Sequence, residues 1–248
     1  MKSHQKNKFQ KVVLVISDLH LSAGKMLKGK RNLLEDFHYD NELIDFLNYY
    51  CSGDYCDVEV ELVINGDFLD FLAVPFVEFY DDEFWSEKAA LAKLKMIMDA
   101  HQAVLNAMKN FLSVSGKTIV YIIGNHDAEF VFDSLKKQFC AHFGEFSRNF
   151  TISNTIATHV PTKGVYIQHG HQYEKANDFD QENAIIDTIN GDRYFIPPWG
   201  SYYVTNIINK YKQERGFINA VRPVKHFLIH GLLFDTFFTV RFMLSNLY

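Results

Sequence analysis

Four apolar runs in this chain each end on a cluster of acid, amide and imidazole side chains. Val12-Val13-Leu14-Val15-Ile16 leads into Asp18 and His20, and the run from Val58 to Ile64 leads into Asn65-Gly66-Asp67. Thr118 to Ile123 leads into Gly124-Asn125-His126-Asp127, and Val165 to Gln168 leads into His169-Gly170-His171. A continuous β-branched run reads as a buried central strand. Helical patterns lie between these runs. Asn41 is placed to cap a helix through Leu43, Ile44, Phe46, Leu47 and Tyr50, after a loop over residues 22–40. Asp81 or Asp82 is placed to cap one long helix over about residues 83–112, in which Leu91, Leu94, Met98, His101, Leu105, Met108 and Phe111 recur at spacings of three and four. A shorter helix is expected over about 131–143 and a further strand near 148–153. Alternating strand and helix predicts an α/β fold, in which ligands bind beyond the carboxyl ends of the strands.

Composition narrows the class. A chain of 248 residues holds one large domain or two small ones. Acidic residues number 30 and basic residues 25, for a formal charge of -5, so general nucleic-acid binding is not expected. A hydrophobic share of 48% argues against disorder. Cys51, Cys56 and Cys140 lack the second pair that a zinc site needs, so reduced thiols and a cytoplasmic setting are expected. The first residues carry no signal-peptide core. The apolar stretch nearest to a membrane span, residues 227–244, is interrupted by His230, Asp235 and Arg241.

The polar clusters suggest a metal centre. A tight turn after the first strand can aim Asp18 and His20 at one ion. Asp67 follows a glycine, with Asp70 three residues on. Carboxylate with imidazole suits zinc, manganese or iron rather than calcium, and a neutral amide oxygen completes a shell without adding charge. Two ions about 3.5–4 Å apart can clamp an in-line phosphoryl displacement. Any one cluster alone reads as a turn, because Asn and Gly serve left-handed positions. Four at equivalent strand ends read as a site.

Taken in order, these residues resemble the calcineurin-like metallophosphoesterases. Their pattern is Asp-x-His, Gly-Asp-x-x-Asp, Gly-Asn-His-Asp or -Glu, a His after a strand, and a closing Gly-His-x-His. The matches are Asp18 with His20, Gly66 with Asp67 and Asp70, Gly124-Asn125-His126-Asp127, and His169 as the penultimate His, over about residues 12–171. The Asp-Leu-His-Leu, Gly-Asp-Phe-Leu-Asp and His-Gly segments are most similar to the branch that includes UDP-diacylglucosamine pyrophosphohydrolases. The resemblance implies a β-sandwich flanked by helices in αββα order, with a helical C-terminal cap. It implies hydrolysis of a phosphate ester or pyrophosphate by a dinuclear centre of Mn, Zn or Fe, acting on a phosphorylated small molecule or a lipid-linked pyrophosphate. By resemblance, Asp18 and His20 hold the first ion, Asp67 bridges, and Asn125 and His169 hold the second. His126 contacts the phosphate and protonates the leaving oxygen, Asp127 orients His126, and Asp70 is a supporting carboxylate.

One departure matters: no Gly-His-x-His follows His169. Either the chain stops before that motif, or His169-Gly170-His171 is itself the closing pair, with His159 as the penultimate ligand. The first reading is favoured because position 168 is Gln and an apolar strand leads into His-Gly, so residues 1–175 are expected as the core and 176–248 as a helical cap or insertion. Pro197-Pro198 breaks the chain before a helix over about 202–212, and residues 217–247 are rich in aromatic and aliphatic side chains with Arg222, Lys225 and Arg241 among them. That tail reads as a packed cap, or as one facing a membrane surface or a second copy of the chain. Two alternatives to the enzyme stand: a protein that keeps the fold with an incomplete site and acts by binding or oligomerisation, and a metal-dependent nuclease.

Overall fold

The computed structural model describes residues 11–79, 81–153, 158–215 and 224–245. After strand β1 (Lys11–Ile16) come a small hairpin, β2 (Met26–Leu27) and β3 (Lys30–Arg31), helix α1 (Asp40–Tyr49) and strand β4 (Glu59–Asn65). Helices α2 (Glu87–Ala100) and α3 (Gln102–Ser113) lead to β5 (Lys117–Ile122), and α4 (Asp133–Ala141) leads to β6 (Phe150–Ile152). These four long-range strands form one parallel sheet in the order β1-β4-β5-β6. Leu62 pairs with Leu14 on one side and Ile119 on the other.

The sheet alternates its side chains between two differently covered faces. Val60, Leu62, Ile64, Ile119 and Tyr121 are buried in one core with Leu43, Leu47, Leu105, Met108 and Leu112 of the helices. On the opposite face Val63 and Ile122 are buried against Val13 and Ile167. Ile167 belongs to β8 (Val165–Gln168), which pairs antiparallel with β7 (Thr158–Thr162). The fold is therefore the αββα sandwich, with a two-stranded second layer among the described residues. Val15, on that thinner face, remains 50% exposed.

The long helix expected over 83–112 is divided. Asp81 caps a short turn, Asp82–Trp85, and α2 starts behind Ser86, whose side chain accepts from Ala89 N–H. The axis breaks at His101, whose φ of -111° and ψ of 30° leave the helical region. Its ring reaches Asp40 at 2.6 Å and Glu35 at 3.5 Å, so a side-chain pairing replaces regular helix at that point. Glu35 in turn accepts from the backbone of Ser22, Gly24 and Phe37, which gives the loop over 22–40 an ordered interior. Helix α1 begins at Asp40, with Tyr39 rather than Asn41 at the cap position.

Beyond the second layer lie the hairpin β9 (Ile185–Asp187) and β10 (Arg193–Phe195), then α5 (Trp199–Tyr203), which continues through a wider turn into α6 (Asn209–Lys212). Asn209 donates to the Leu72 carbonyl at 2.7 Å, and the buried Lys212 ammonium donates to the Leu34 carbonyl at 2.9 Å and to Asp36 at 2.5 Å. Helices α7 (Val224–Phe234) and α8 (Thr236–Ser245) form a hairpin seated on α6 through Tyr211, Phe238 and Phe242. Among the described residues no helix is long and apolar enough to cross a membrane.

Candidate metal centre

The strand exits depart from ordinary backbone. Asp18, His20 and Asp67 all hold positive φ, at 55°, 55° and 52°. Few non-glycine residues adopt this region, and such strain concentrates at functional sites. The exits are tied together by pairing that outlasts the strands: Asp18 N–H donates to Gly66 C=O, His20 N–H to Asp67 C=O, and Asp70 N–H to Leu21 C=O. Two glycines make the close approach possible. A Cβ at Gly124 would lie 2.2 Å from Asp67 Oδ1, and one at Gly66 would lie 2.4 Å from the His169 ring.

Two groups of ligand atoms result, and they share Asp67: Asp18, Asp67 and His169 in one, His20, Asp67 and His126 in the other. Asn125 Oδ1 lies 3.3 Å from His169 Nε2, beside the first group. The resemblance paired Asp18 with His20 on one ion; here Asp18 sits with His169 instead. His20 Nδ1 lies 3.3 Å from one oxygen of Asp70 and His126 Nδ1 lies 3.1 Å from the other. His169 Nδ1 donates to the Asn65 carbonyl at 2.8 Å. All three rings are thus held at Nδ1, and the Nε2 atoms of His169 and His20 face Asp67, at 3.3 and 3.8 Å. Acceptors behind metal-bound imidazoles fix tautomer and orientation in this manner.

Charge at the site is strongly coupled. Burial alone would raise the Asp67 pKa, but the His169 hydrogen bond and the charges of His126, His169 and His20 hold it at about 2. Burial likewise opposes protonation of His126, yet Asp70 holds that ring at about 9. His169 stays at about 9 because Asp67 outweighs its burial. Asp70 is held well below the usual carboxylate range by His126 and His20, against the effect of its burial. This donor set of carboxylates, imidazoles and one amide oxygen fits divalent cations of the zinc, manganese and iron type.

Three expectations require correction. Asp127 does not orient His126. Its carboxylate is fully buried and accepts from Phe68 N–H at 3.0 Å, Gly124 N–H at 2.6 Å and Tyr121 O–H at 2.6 Å. Burial and the neighbouring Asp67 charge push its pKa up to about 7. Asp127 therefore staples the two strand exits, and the carboxylate that touches His126 is Asp70. His159 joins neither ligand group: its Nε2 meets Glu61 at 2.8 Å on the thin face of the sheet. His171 is buried and stacks on Phe179, with ring centroids 5.1 Å apart, and joins neither ligand group. Burial and His169 lower its pKa to about 4, so the ring is neutral near pH 7.

Residues 11–231 match the family model for calcineurin-like phosphoesterases. The chain belongs to this family of metallophosphoesterases. The match runs past His169 into α7, so the C-terminal segment lies largely within the family's span. No curated protein and no solved structure matches the chain.

A buried ion pair beneath the site was not anticipated. Lys93 Nζ meets Glu129 Oε1 at 2.9 Å with both side chains wholly buried, and the ammonium sits 3.7 Å from the centre of the Phe84 ring. Lys93 stands among Ala89, Ala90, Leu94 and Ile97 on the buried face of α2. A lysine at that helical phase, with an acid two residues beyond Asp127, was the available signal.

Proposed function

We propose that this chain hydrolyses a phosphate ester or pyrophosphate using two divalent cations of manganese, zinc or iron. The observation that carries the reading is Asp67, a single buried carboxylate common to two ligand groups. Asp18 and His169 would hold one cation with Asn125 beside them, and His20 and Asp67 the other. Bound cations neutralise phosphoryl charge and activate water. The chain's own residues supply the rest. Asp67 is kept in place by the His126 N–H at 2.9 Å. Asp70 grips His126 at Nδ1, so Nε2 is the atom available to contact a phosphoryl oxygen or to give a proton to the leaving oxygen. Pyrophosphate is kept within the substrate class because the Asp-Leu-His-Leu, Gly-Asp-Phe-Leu-Asp and His-Gly segments are similar to the pyrophosphohydrolase branch.

The test is turnover of p-nitrophenyl phosphate, bis-p-nitrophenyl phosphate and inorganic pyrophosphate by manganese-loaded protein, beside Asp67→Asn. Turnover by the parent chain, with metal content and turnover both lost in the variant, supports the reading. Full metal content in Asp67→Asn removes the shared-ligand role.

A second reading has its own support. Each group brings together three residues among the described ones, and neither His159 nor His171 adds a donor. Fewer fixed ligands mean weaker binding and looser geometry. Weak or partial metal uptake without turnover would favour a chain that retains the fold and acts by binding.

A further inference from the structure

Helix α7 is apolar around most of its circumference, and α8 presents apolar residues on two sides. One side is accounted for: Phe238 and Thr239 are buried, and the Phe238 ring lies 5.5 Å from Tyr211 on α6. The outward side has no cover among the described residues. Phe234, Phe237 and Leu233 are 84%, 82% and 70% exposed, and Ile229, Val240 and Leu244 continue the stripe along both helices. The most exposed of them cluster at the turn between the helices, so the patch is a protruding tip rather than a flat face. An exposed apolar surface of this kind marks an interaction site.

Charge separates the occupants. Residues 209–248 contain Lys210, Lys212, Arg215, Arg222, Lys225 and Arg241 against Glu214 and Asp235, a formal +4, or +3 once the buried Lys212–Asp36 pair is set aside, in a chain whose total is -5. A second copy would bring the same positive segment to a shared interface, where like charges oppose each other. An anionic lipid surface complements it. The ionisable groups nearest the tip are also turned back to the body: Asp235 pairs with Arg215 at 3.0 Å, and Arg241 pairs with Glu214. The tip can therefore enter an apolar phase without carrying an unpaired carboxylate or guanidinium with it. Helices of 11 and 10 residues are about 15 Å long, half of a hydrocarbon core roughly 30 Å thick, so they reach into one leaflet and do not span.

We propose that the α7–α8 hairpin is a membrane-docking element that inserts Leu233, Phe234 and Phe237 into an anionic bilayer surface. The proposal does not rest on hydrolysis at the metal centre. The test is co-sedimentation of the full chain with phosphatidylcholine vesicles, with and without phosphatidylglycerol, beside the double variant Phe234→Asp/Phe237→Asp. The wild type is expected to pellet with the anionic vesicles and to be released in part by salt. The variant is expected to bind at least about tenfold more weakly. Both side chains are solvent-exposed, so an unchanged melting temperature shows that the variant is folded. A second variant, Leu233→Ser, covers the case in which the first does not fold; it is expected to weaken binding to a smaller degree. Equal pelleting of wild type and folded variants overturns the proposal, as does absence of pelleting on anionic vesicles. A dimer in lipid-free sedimentation velocity that Phe234→Asp/Phe237→Asp converts to monomer, without vesicle binding by the wild type, also overturns it and assigns the face to a second copy.

Discussion

The strand-exit region and the C-terminal hairpin are both rich in phenylalanine, yet they use it in opposite ways. Phe68, Phe71, Phe130, Phe132, Phe139 and Phe143 are buried, whereas Phe234 and Phe237 stand in solvent. Their charges are reversed as well. At the strand exits Asp67, Asp70, Asp127 and the Lys93–Glu129 pair are buried under the site, while on the hairpin Asp235 and Arg241 pair at the rim. An interior built this way spends apolar burial on fixing a polar cluster that no isolated loop would hold. The hairpin keeps its ion pairs at the exposed rim, and its surplus apolar surface faces outward.

The contrast is broken most directly at the site. His126→Ala is expected to lower turnover by about a hundredfold to ten-thousandfold. Elemental analysis of that variant is expected to find near-normal metal, and the loss should shrink with leaving groups that need no proton. A fall in metal content would instead make His126 a ligand, since its ring lies within one ligand group.

Next in size is the buried ion pair. Glu129→Ala leaves the Lys93 ammonium without its partner in a wholly buried position, and is expected to cost about 3–5 kcal/mol of stability in urea unfolding. The double variant Lys93→Met/Glu129→Gln should recover much of that, because no lone charge is left behind. A double variant as unstable as the single would assign the loss to packing around Phe84.

The two phenylalanine populations can be compared by the same measurement. Phe139→Ala is expected to cost about 3–5 kcal/mol, because the ring is fully enclosed and touches Tyr121, Phe130 and Phe143. Phe237→Ala is expected to change stability by no more than about 0.5 kcal/mol. Similar costs for the two would mean that the hairpin tip is covered in solution.

The smallest effect expected lies at His101. Its burial opposes protonation, but Glu35 and Asp40 raise its pKa above the ordinary value. A raised folded pKa contributes stability that is fully present below the unfolded value, near 6.5, and is lost as pH rises through the folded value. His101→Gln should therefore reduce stability more at about pH 6 than at about pH 8. A pH-independent difference would leave only a packing role for the ring.

Much of the parallel sheet, and the gathering of polar residues at its strand exits, could be read from the sequence. Each cluster alone reads as a turn, but four of them at equivalent strand ends bring Asp18, Asp67, Asn125 and His169 together by position. Roles within the cluster were not legible. Asp70 and Asp127 each follow a motif by the same kind of spacing, and only the direction of their carboxylates separates the one that grips His20 and His126 from the one that staples Tyr121 and Gly124. The break at His101 was hidden because the apolar spacing continues through it; the cause lies in Glu35 and Asp40, far back in the chain. Whether the hairpin is packed or exposed stayed open for the opposite reason. An apolar run without alternation carries no signal of which side meets protein.

Helix α6 has a consequence of its own. Asn209 holds Leu72, in the turn that Asp70 closes through Ala73 N–H, and Lys212 holds Leu34 and Asp36, in the loop that Glu35 organises next to His20. The same helix carries Tyr211, on which the hairpin rests. Strand exits and hairpin are therefore both anchored on one short helix. Were hairpin engagement to shift the geometry around Asp70, filling of the site would shift the hairpin by the same free energy.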